Sequence, residues 1–313
     1  MSNLARDVTR HLGGDWLGHY GLAPGPGHSK KDRSLKIKPH PSDTGEIVLY
    51  SFAGDDWKDL KDELRRAGVL PAKDFRGARP LDPAEAKIAA ARREEAAAAR
   101  LAEDEAAAAR QLEISRWLWE RGEPAGGTVV EVYLRSRGIV LDDLPRTLRY
   151  LPPDPQKYPF PAMMAAFGMA VEREPGKLFI PLPRIQGVHL TYLTADGQGK
   201  ALIEKQRKMI GPSNGWPICL APPNDGLGLF IGEGIETALW GHQATGLGCW
   251  AAGDAGRLPG LANEELCRIP TYIEAVTIAE DADPAGMRFT SQLAQGLKNR
   301  GFEAIVVRCC HGA

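Results

Sequence analysis

The stretch LGLFIGEGIETA, residues 227–238, and the later stretch VTIAEDADPAG, residues 276–286, carry the clearest fold signal in this chain. Each begins as a short apolar run, reaches acidic residues and a glycine, and passes into a helical pattern, which is typical of a buried parallel strand. Glu233 closes the first run, and Asp281 and Asp283 close the second. If the two strands are neighbours, their carboxylates share the sheet edge at which open α/β sheets bind ligands. Such oxygen ligands suit Mg²⁺ or Mn²⁺.

Strands and helices alternate throughout residues 226–313. The predicted strands are 227–231, 248–252, 276–279 and 304–308, with helices at 235–245 and 284–300 and a helical turn at 263–267. This alternation favours a parallel sheet with right-handed crossovers. The sequence therefore predicts an α/β domain over residues 226–313.

The motif pair GEGIETAL and EDADPAG resembles the Toprim domain of primases and topoisomerases, in which a Glu and an Asp-x-Asp build the metal site. The resemblance implies that Glu233, Asp281 and Asp283 are the catalytic residues and the metal ligands. Either motif alone would be a weak signal, because acidic residues at strand ends also interact with the dipole of a following helix. The two motifs together are far more specific. Flanking glycines would let the backbone approach an anionic substrate closely: Gly232, Gly234 and Gly286.

The chain departs from that family at its C-terminus. Primase Toprim domains usually carry a further acidic motif after the strand that corresponds to residues 304–308, whereas this sequence ends in CCHGA. We therefore expect a C-terminally short Toprim domain, and the metal site is predicted ahead of turnover. If the missing acidic residues matter, metal affinity is lower and the protein binds nucleic acid without efficient synthesis.

Bulk composition narrows the class of protein. Hydrophobic residues make up 43% of the 313 positions, which is enough for several buried cores. The formal net charge of -1 restricts any nucleic-acid surface to a local basic patch. Five cysteines without CxxC spacing favour a reducing compartment, and neither a secretory leader nor a long apolar segment is present. We expect a cytoplasmic protein without a membrane partner.

Residues 1–70 form the first predicted module. The expected elements are a helix at 4–12, a Gly- and Pro-rich loop at 21–34, strands at 35–37 and 47–52 around a turn at 41–45, and a helix at 56–68. This order, with the text APGPGHSKKDRSLKI and YSFAGDDW, resembles the zinc ribbon at the front of DnaG-type primases. Lysines and arginines at positions 30–38 form a basic strip, which either contacts phosphates or is an ordinary solvated face.

The zinc ligands of that ribbon are largely absent. His28 is kept, but Ala23 or Gly25 stands at the first cysteine position, and Ser51 and Asp55 stand at the second pair. Because a structural zinc site needs four Cys or His ligands, we expect no structural zinc. The module would be held by its core and by polar pairs among His28, Asp32 and Asp55. Otherwise His28 is a solvated loop histidine.

An Ala-, Glu- and Arg-rich connector occupies residues 71–121. Its text from Leu81 to Trp119 lacks Gly and Pro after Asp82–Pro83, which predicts a long, largely exposed helix that acts as a spacer or an oligomerisation helix. Apolar residues near its end would dock it onto the next domain: Leu112, Ile114, Trp117 and Leu118.

Residues 122–225 resemble the N-terminal subdomain of a primase core. The text GTVVEVYLRSRGI fits a strand or a helix ending at Gly138, and we favour the helix because it resembles the "YL..RGI" helix of Toprim primase-like proteins. Strands are predicted at 148–151, 163–169, 177–183 and 188–194. In such primases a basic stretch that follows lies on the template, and four residues correspond to it here: Lys200, Lys205, Arg207 and Lys208. The alternative is an exposed charged loop.

The whole sequence therefore predicts an α/β protein with a C-terminal Toprim-like parallel sheet. A mixed α+β primase-type subdomain, a long helix and a small degenerate zinc-ribbon-like domain would precede that sheet. The preferred function is a primase-like nucleotidyltransferase of a mobile genetic element, active in DNA replication. Its partners would be a single-stranded DNA template, nucleoside triphosphates and a separate helicase or replication protein. The alternatives are a Toprim phosphodiesterase or nuclease, and a non-catalytic protein that binds DNA or a partner.

Overall fold

The structure is a computed structural model. It describes residues 4–25, 27–40, 47–71, 83–156, 158–223 and 226–308, and only the backbone of residues 83–90 and 93. The chain divides into two compact units, Met1–Ala90 and Ala91–Ala313.

The first unit contains an antiparallel sheet in the order β1-β2-β3-β4. Its elements are α1 (Leu4–His11), β1 (Asp15–Trp16), β2 (Gly21–Ala23), β3 (Leu35–Pro39), β4 (Ile47–Ser51) and α2 (Trp57–Arg66). Side chains alternate along β3 and β4, so one face of the sheet, with Leu35, Ile37 and Ile47, enters a core shared with helix residues such as Val8 and Leu64. The opposite face remains open to solvent.

Most elements predicted for this unit are confirmed, but the assignment of residues 21–34 to a loop was wrong at its start. Residues 21–23 form β2, whose Gly21 and Ala23 pair with Ile37 and Leu35. A side chain at Gly21 would collide with Thr9 of α1, because a Cβ there would lie 2.0 Å from the Thr9 hydroxyl oxygen. The glycine therefore permits close packing of helix and strand. The predicted turn at 41–45 lies outside the described residues.

The long helix α3 (Pro83–Arg121) is confirmed, while its proposed N-cap Asp82 lies outside the described residues. Its C-terminal end docks through Leu118 and Trp119, which are buried. Ile114 and Trp117, which we expected to contribute to this docking, are 44% and 39% exposed. They lie outside the narrow stripe that meets the sheet.

The middle of the chain contains an antiparallel sheet in the order β11-β10-β7-β6-β5 and a separate ribbon β8-β9. Its elements are β5 (Glu123–Pro124), α4 (Val129–Ser136), β6 (Leu148–Leu151), β7 (Ala162–Phe167), β8 (Val171–Glu174), β9 (Lys177–Phe179), a 3-10 helix (Leu182–Arg184), β10 (Gly187–Tyr192) and β11 (Arg207–Ile210). The helix preferred for residues 128–136 is confirmed, and the Thr128 side chain caps it by accepting from the Val130 amide at 3.2 Å.

The C-terminal sheet has the order β12-β14-β13-β15-β16. Its region contains β12 (Ile218–Ala221), β13 (Gly228–Gly232), α5 (Ile235–Thr245), β14 (Gly248–Ala251), a second 3-10 helix (Ala255–Ala262), β15 (Ala275–Glu280), α6 (Pro284–Asn299) and β16 (Glu303–Arg308). The strands from β13 onward are parallel, which confirms the predicted α/β fold class. The helical turn expected at 263–267 is confirmed, since the Cys267 amide donates to the Asn263 carbonyl oxygen at 2.8 Å. The second 3-10 helix, which precedes this turn, was not predicted. β12, from the segment that we assigned to the middle region, pairs antiparallel with β14.

One hydrophobic core joins the middle sheet to the C-terminal sheet. Met163, Ala165 and Phe167 of β7 pack into it from one side, while Phe230 of β13 and Leu239 of α5 pack from the other. The opposite face of the C-terminal sheet is covered by α6 and the second 3-10 helix. Because the two sheets share buried side chains, residues from both meet beside the strand ends.

Candidate active site

The carboxyl ends of three parallel strands place acidic residues along one sheet edge. β13 lies between β14 and β15, with Gly232 opposite Ala251 and Ile231 opposite Ile278. Glu233 directly follows β13 and Asp281 directly follows β15. The shared edge that the sequence suggested for these residues is therefore present.

Glu233 and Asp281 interact directly. Burial raises the pKa of Glu233, and the charge of Asp281 and a side-chain hydrogen bond to it raise that pKa further. Asp283 also raises it through its charge, whereas Arg207 lowers it. Like charges held this close favour a proton or a cation between them.

Asp283 has a structural role that its motif alone does not reveal. It is the N-cap of α6, and its Oδ1 accepts a hydrogen bond from the Gly286 amide at 2.7 Å. Pro284 follows at the first helical position, as helix starts favour. One oxygen of Asp283 is thus committed to the helix, and the other remains for a ligand.

The glycines predicted to approach the substrate differ in their surroundings. A Cβ at Gly232 would lie 2.7 Å from the Ala238 amide, and one at Gly286 would lie 2.9 Å from the Asp281 carbonyl oxygen. These two glycines are explained by close packing inside the domain. A Cβ at Gly234 would meet only the Glu236 carboxylate, at 3.5 Å. Gly234 is therefore the position of the three with open space.

A third strand end contributes an acidic residue that the sequence argument missed. Asp254 follows β14 and begins the second 3-10 helix without forming a side-chain cap. The neighbouring Gly253 amide donates to the Glu233 carbonyl oxygen at 2.8 Å, so the loops after β13 and β14 are directly joined. The rule that identified Glu233 and Asp281 would also have identified Asp254.

The donor chemistry of this edge fits a hard divalent cation, since its available groups are carboxylate oxygens. Glu233 and Asp281 are the pair whose mutual repulsion a cation would relieve. Within the part of the chain that the structure describes, no group of three or more His, Cys, Asp or Glu side chains is arranged to hold a metal ion. The pair is thus the element that fits a cation, and Asp283 is close enough for its charge to act on Glu233.

Glu236, also missed as a functional residue, lies at the centre of a hydrogen-bonded ion pair. The Tyr133 hydroxyl donates to Glu236 Oε1 at 2.6 Å, and Lys200 Nζ lies 2.9 Å from the same oxygen. Burial alone would raise the pKa of Glu236, but Lys200 and Tyr133 together lower it to about 2. Tyr133 and Lys200 belong to the middle region and Glu236 to α5. The network therefore joins two domains beside the acidic edge.

The basic residues predicted to contact nucleic acid do not share one surface. Lys200 is paired with Glu236, and Lys205 is exposed. Arg207 stands opposite Thr191 and Lys208 opposite Leu190 across the β10–β11 ladder, so their side chains leave opposite faces. The positive charge of Arg207 lowers the pKa of Glu233, so Arg207 lies on the face of the sheet that is nearer to this carboxylate. It is the basic residue that the fold brings to the carboxylates.

His189 lies buried on the same face of β10 as Thr191. It is 2% exposed, its ring stands edge-on to Phe167 at 6.3 Å, and its Nε2 has no hydrogen-bond partner among the described residues. Burial is the main cause that lowers its pKa to about 4, with further lowering by Arg207, Lys200 and Arg257 against the opposing charge of Glu236. The imidazole is therefore neutral at physiological pH.

This histidine makes the folded state sensitive to acid. Its pKa is 6.5 when unperturbed and about 4 in the fold, so the unfolded chain takes up the proton first as the pH falls. Stability should be lost between pH 6.5 and pH 4, by about 3 kcal/mol in total. Urea unfolding at a series of pH values should show this slope, and His189→Leu should remove it. An unchanged slope in the variant would contradict the assignment.

A separate polar cluster lies in the N-terminal unit. His28 Nδ1 is 2.7 Å from Asp32 Oδ2, His28 Nε2 is 3.6 Å from Asp55 Oδ1, and the Ser51 hydroxyl donates to Asp55 at 2.7 Å. A Cβ at Gly25 would lie 3.4 Å from the same imidazole. The expected polar pairs are confirmed, and the positions compared with zinc ligands do converge. The hydrogen bond to Asp32 is the main cause that raises the pKa of His28.

The solvent-facing side of the N-terminal sheet carries alternating lysines and aromatic rings. Lys36 stands opposite Tyr50 in the β3–β4 ladder and lies over the Tyr20 ring at 4.3 Å. Tyr50 and Phe52 are 60% and 63% exposed and contact each other edge-on at 4.9 Å. Exposed rings beside lysines are the surface that stacks bases and attracts phosphates. The basic strip noted in the sequence thus has an aromatic component.

Taken together, the parallel sheet and its acidic edge define a carboxylate-bearing α/β domain suited to phosphate chemistry. Residues 228–313 match the family model of the Toprim domain, and residues 109–220 match that of a domain of unknown function, DUF7146. No curated protein matches the chain. The chain contains a C-terminal Toprim domain, which fits a metal-binding role in nucleic-acid processing. No helix within the described ranges is both long and apolar enough to cross a membrane.

Proposed function

We propose that this chain is a primase-like, metal-dependent nucleotidyltransferase that acts on a single-stranded nucleic-acid template. The observation that carries the proposal is the Glu233–Asp281 pair at the carboxyl edge of the Toprim sheet, with Arg207 close enough to influence it. A carboxylate pair with an adjacent guanidinium suits a reaction in which anionic phosphates are brought to a metal-binding site.

Asp281 would hold Mg²⁺ or Mn²⁺ together with the free oxygen of Asp283. The ion, when bound, would neutralise and orient phosphates for in-line attack at phosphorus. Glu233 serves either as a further ligand or as the group that exchanges a proton with the 3′ oxygen, for which its raised pKa is suitable. Arg207 would offset the charge of the incoming phosphates. Lys200 would hold Glu236 in place and would not contact the phosphates, because its charge is already paired with the Glu236 carboxylate.

The N-terminal sheet face supports a template-binding role. Tyr50 and Phe52 offer exposed π faces, and Lys36 offers a charge beside them. Trp57 is 50% exposed and lies within 6 Å of the amino groups of Lys58 and Lys61. Stacking is tolerant of base identity, so this face suits a template of varied sequence. Because the template must be unwound first, a separate helicase or replication protein is the partner that we propose.

The decisive experiment supplies purified protein with a single-stranded DNA template, labelled nucleoside triphosphates and Mg²⁺ or Mn²⁺. We expect labelled extension products that require the template and the metal. Shortening of the template would instead indicate a Toprim nuclease that uses the same carboxylates. Retained binding without either product would indicate a non-catalytic DNA-binding protein.

One observation favours the non-catalytic alternative in particular. The Asp283 carboxylate caps α6 through Oδ1, and this role alone would account for an acidic residue at that position. The same assay therefore tests whether the motif serves chemistry or only the helix.

A further inference from the structure

A groove of about 400 Å³ lies at the seam between the domain of unknown function and the Toprim domain. Residues that line it include Met169, Arg184, Gln186, Trp216 and Arg268. The first four belong to the segment matched at 109–220, and Arg268 belongs to the segment matched at 228–313. We propose that this groove binds one nucleotide of a single-stranded nucleic acid, with the base against Trp216 and the phosphates against Arg184 and Arg268.

Trp216 is placed to act as a stacking platform. It is half-buried and packs against the shared core, while the rest of its surface lines the groove. Its amide donates to the Ser213 carbonyl oxygen at 3.1 Å. Arg257 holds this loop by donating to both the carbonyl oxygen and the hydroxyl of Ser213. The loop that carries Trp216 is therefore restrained, and packing of the indole against the core lowers the entropic cost of binding a ligand.

The two arginines supply charge that the protein does not neutralise. Both are exposed, and within the described residues neither forms an ion pair, whereas Arg146 and Lys200 each pair with a glutamate. Arg184 lies in the first 3-10 helix. Arg116 of α3 donates hydrogen bonds to the carbonyl oxygens of Pro183, in that helix, and of Ile185, which directly follows it. The groove thus combines a fixed aromatic surface with unneutralised guanidinium groups, which complements an anionic strand and its bases.

Contacts connect this groove to the acidic edge. Arg257, which holds the Trp216 loop, also donates to the Ala252 carbonyl oxygen at 3.2 Å. The next residue, Gly253, donates to the Glu233 carbonyl oxygen at 2.8 Å. Ligand sites favour domain seams of this kind. The inference rests on the proposed function only for the class of its ligand, a nucleic-acid strand.

The test measures binding of a fluorescent single-stranded oligothymidylate to the full-length protein over a range of salt concentrations. We expect Arg184→Ala/Arg268→Ala to weaken binding by about tenfold and to reduce the salt-dependence slope by about 1.4, since each phosphate contact contributes roughly 0.7. Arg100→Ala, on the exposed part of α3, removes a positive charge away from the groove and should change affinity by less than about twofold. Equal effects of the two changes would overturn the proposal.

Two substitutions of Trp216 test the stacking role. Trp216→Phe keeps a π face, whereas Trp216→Leu keeps an apolar side chain without one. We expect affinity within about threefold of the unchanged protein for Phe and a loss of about tenfold for Leu. Equal affinities of the two variants, with both folded by circular dichroism, would overturn the assignment.

Further arms distinguish the ligand and the function. Variants that weaken binding of a free nucleoside triphosphate but not of the oligonucleotide would overturn the strand as occupant. If the arginine and Trp216 variants bind the strand normally and still synthesise primers, the groove is not a binding site, and the proposed function stands. Groove-dependent binding by a protein that synthesises nothing would support the groove and overturn the proposed function.

Discussion

Replacement of Glu233 by Gln, or of Asp281 by Asn, is expected to lower metal-dependent primer synthesis by roughly 10³-fold while the protein remains folded. Each change keeps the size of the side chain and removes one charge from the interacting pair. Loss of a metal-binding carboxylate removes several kcal/mol of transition-state stabilisation. Single-turnover extension at saturating template, with circular dichroism as the folding check, measures the effect.

Asp283 allows the chemical role to be separated from the structural one. Asn is as good an N-cap as Asp, so Asp283→Asn should keep α6 intact while activity falls. Asp283→Ala should in addition lower the free energy of unfolding by about 1 kcal/mol. Glu303→Gln is the matched control, because Glu303 begins β16 at the opposite edge of the sheet. Full activity in the Glu233, Asp281 and Asp283 variants would rule out the proposed site.

Loss of the Glu236 network is expected to have the largest effect on stability. Tyr133→Phe removes a hydroxyl that donates to a carboxylate at 2.6 Å and should lower the free energy of unfolding by about 2 kcal/mol. Glu236→Ala also leaves Lys200 without its partner and should cost about 3 kcal/mol. The latter estimate is moderated because the Lys200 and Glu236 side chains are 28% and 20% exposed. Urea unfolding at neutral pH measures both changes.

A double-mutant cycle with Tyr133→Phe and Glu236→Gln should give a coupling energy of about 1–2 kcal/mol. Lys205→Met is the control for Lys200→Met, because Lys205 is exposed. The network also predicts a pH signature. The pKa of Glu236 is lowered from 4.5 to about 2, so its contribution is complete above pH 4.5 and is lost as the pH falls toward 2. The network would be contradicted if the two substitutions changed the free energy of unfolding additively. It would also be contradicted if Glu236→Gln left the loss of stability between pH 4.5 and pH 2 unchanged.

The same network changes the interpretation of the basic stretch at residues 200–208. The sequence grouped Lys200, Lys205, Arg207 and Lys208 because they are close along the chain. In the fold, Lys200 pairs with Glu236, and the alternation of β11 separates Arg207 from Lys208. Neutralisation of phosphate near the carboxylates is therefore expected mainly from Arg207. Local charge clustering in a sequence does not specify which face of a strand each charge occupies.

The α/β character of the C-terminal domain, most of its strands and helices, and the strand ends that carry Glu233 and Asp281 could be predicted from the amino-acid sequence. These features follow from apolar runs, glycines and capping residues, whose effects act within a few positions along the chain. Three features became visible only in the folded chain: Gly21–Ala23 is a strand, β12 joins the C-terminal sheet, and Tyr133 lies against Glu236, 103 residues away. The physical reason is that such contacts depend on which buried faces meet. The acidic edge was thus predictable, whereas the residues that surround it were not.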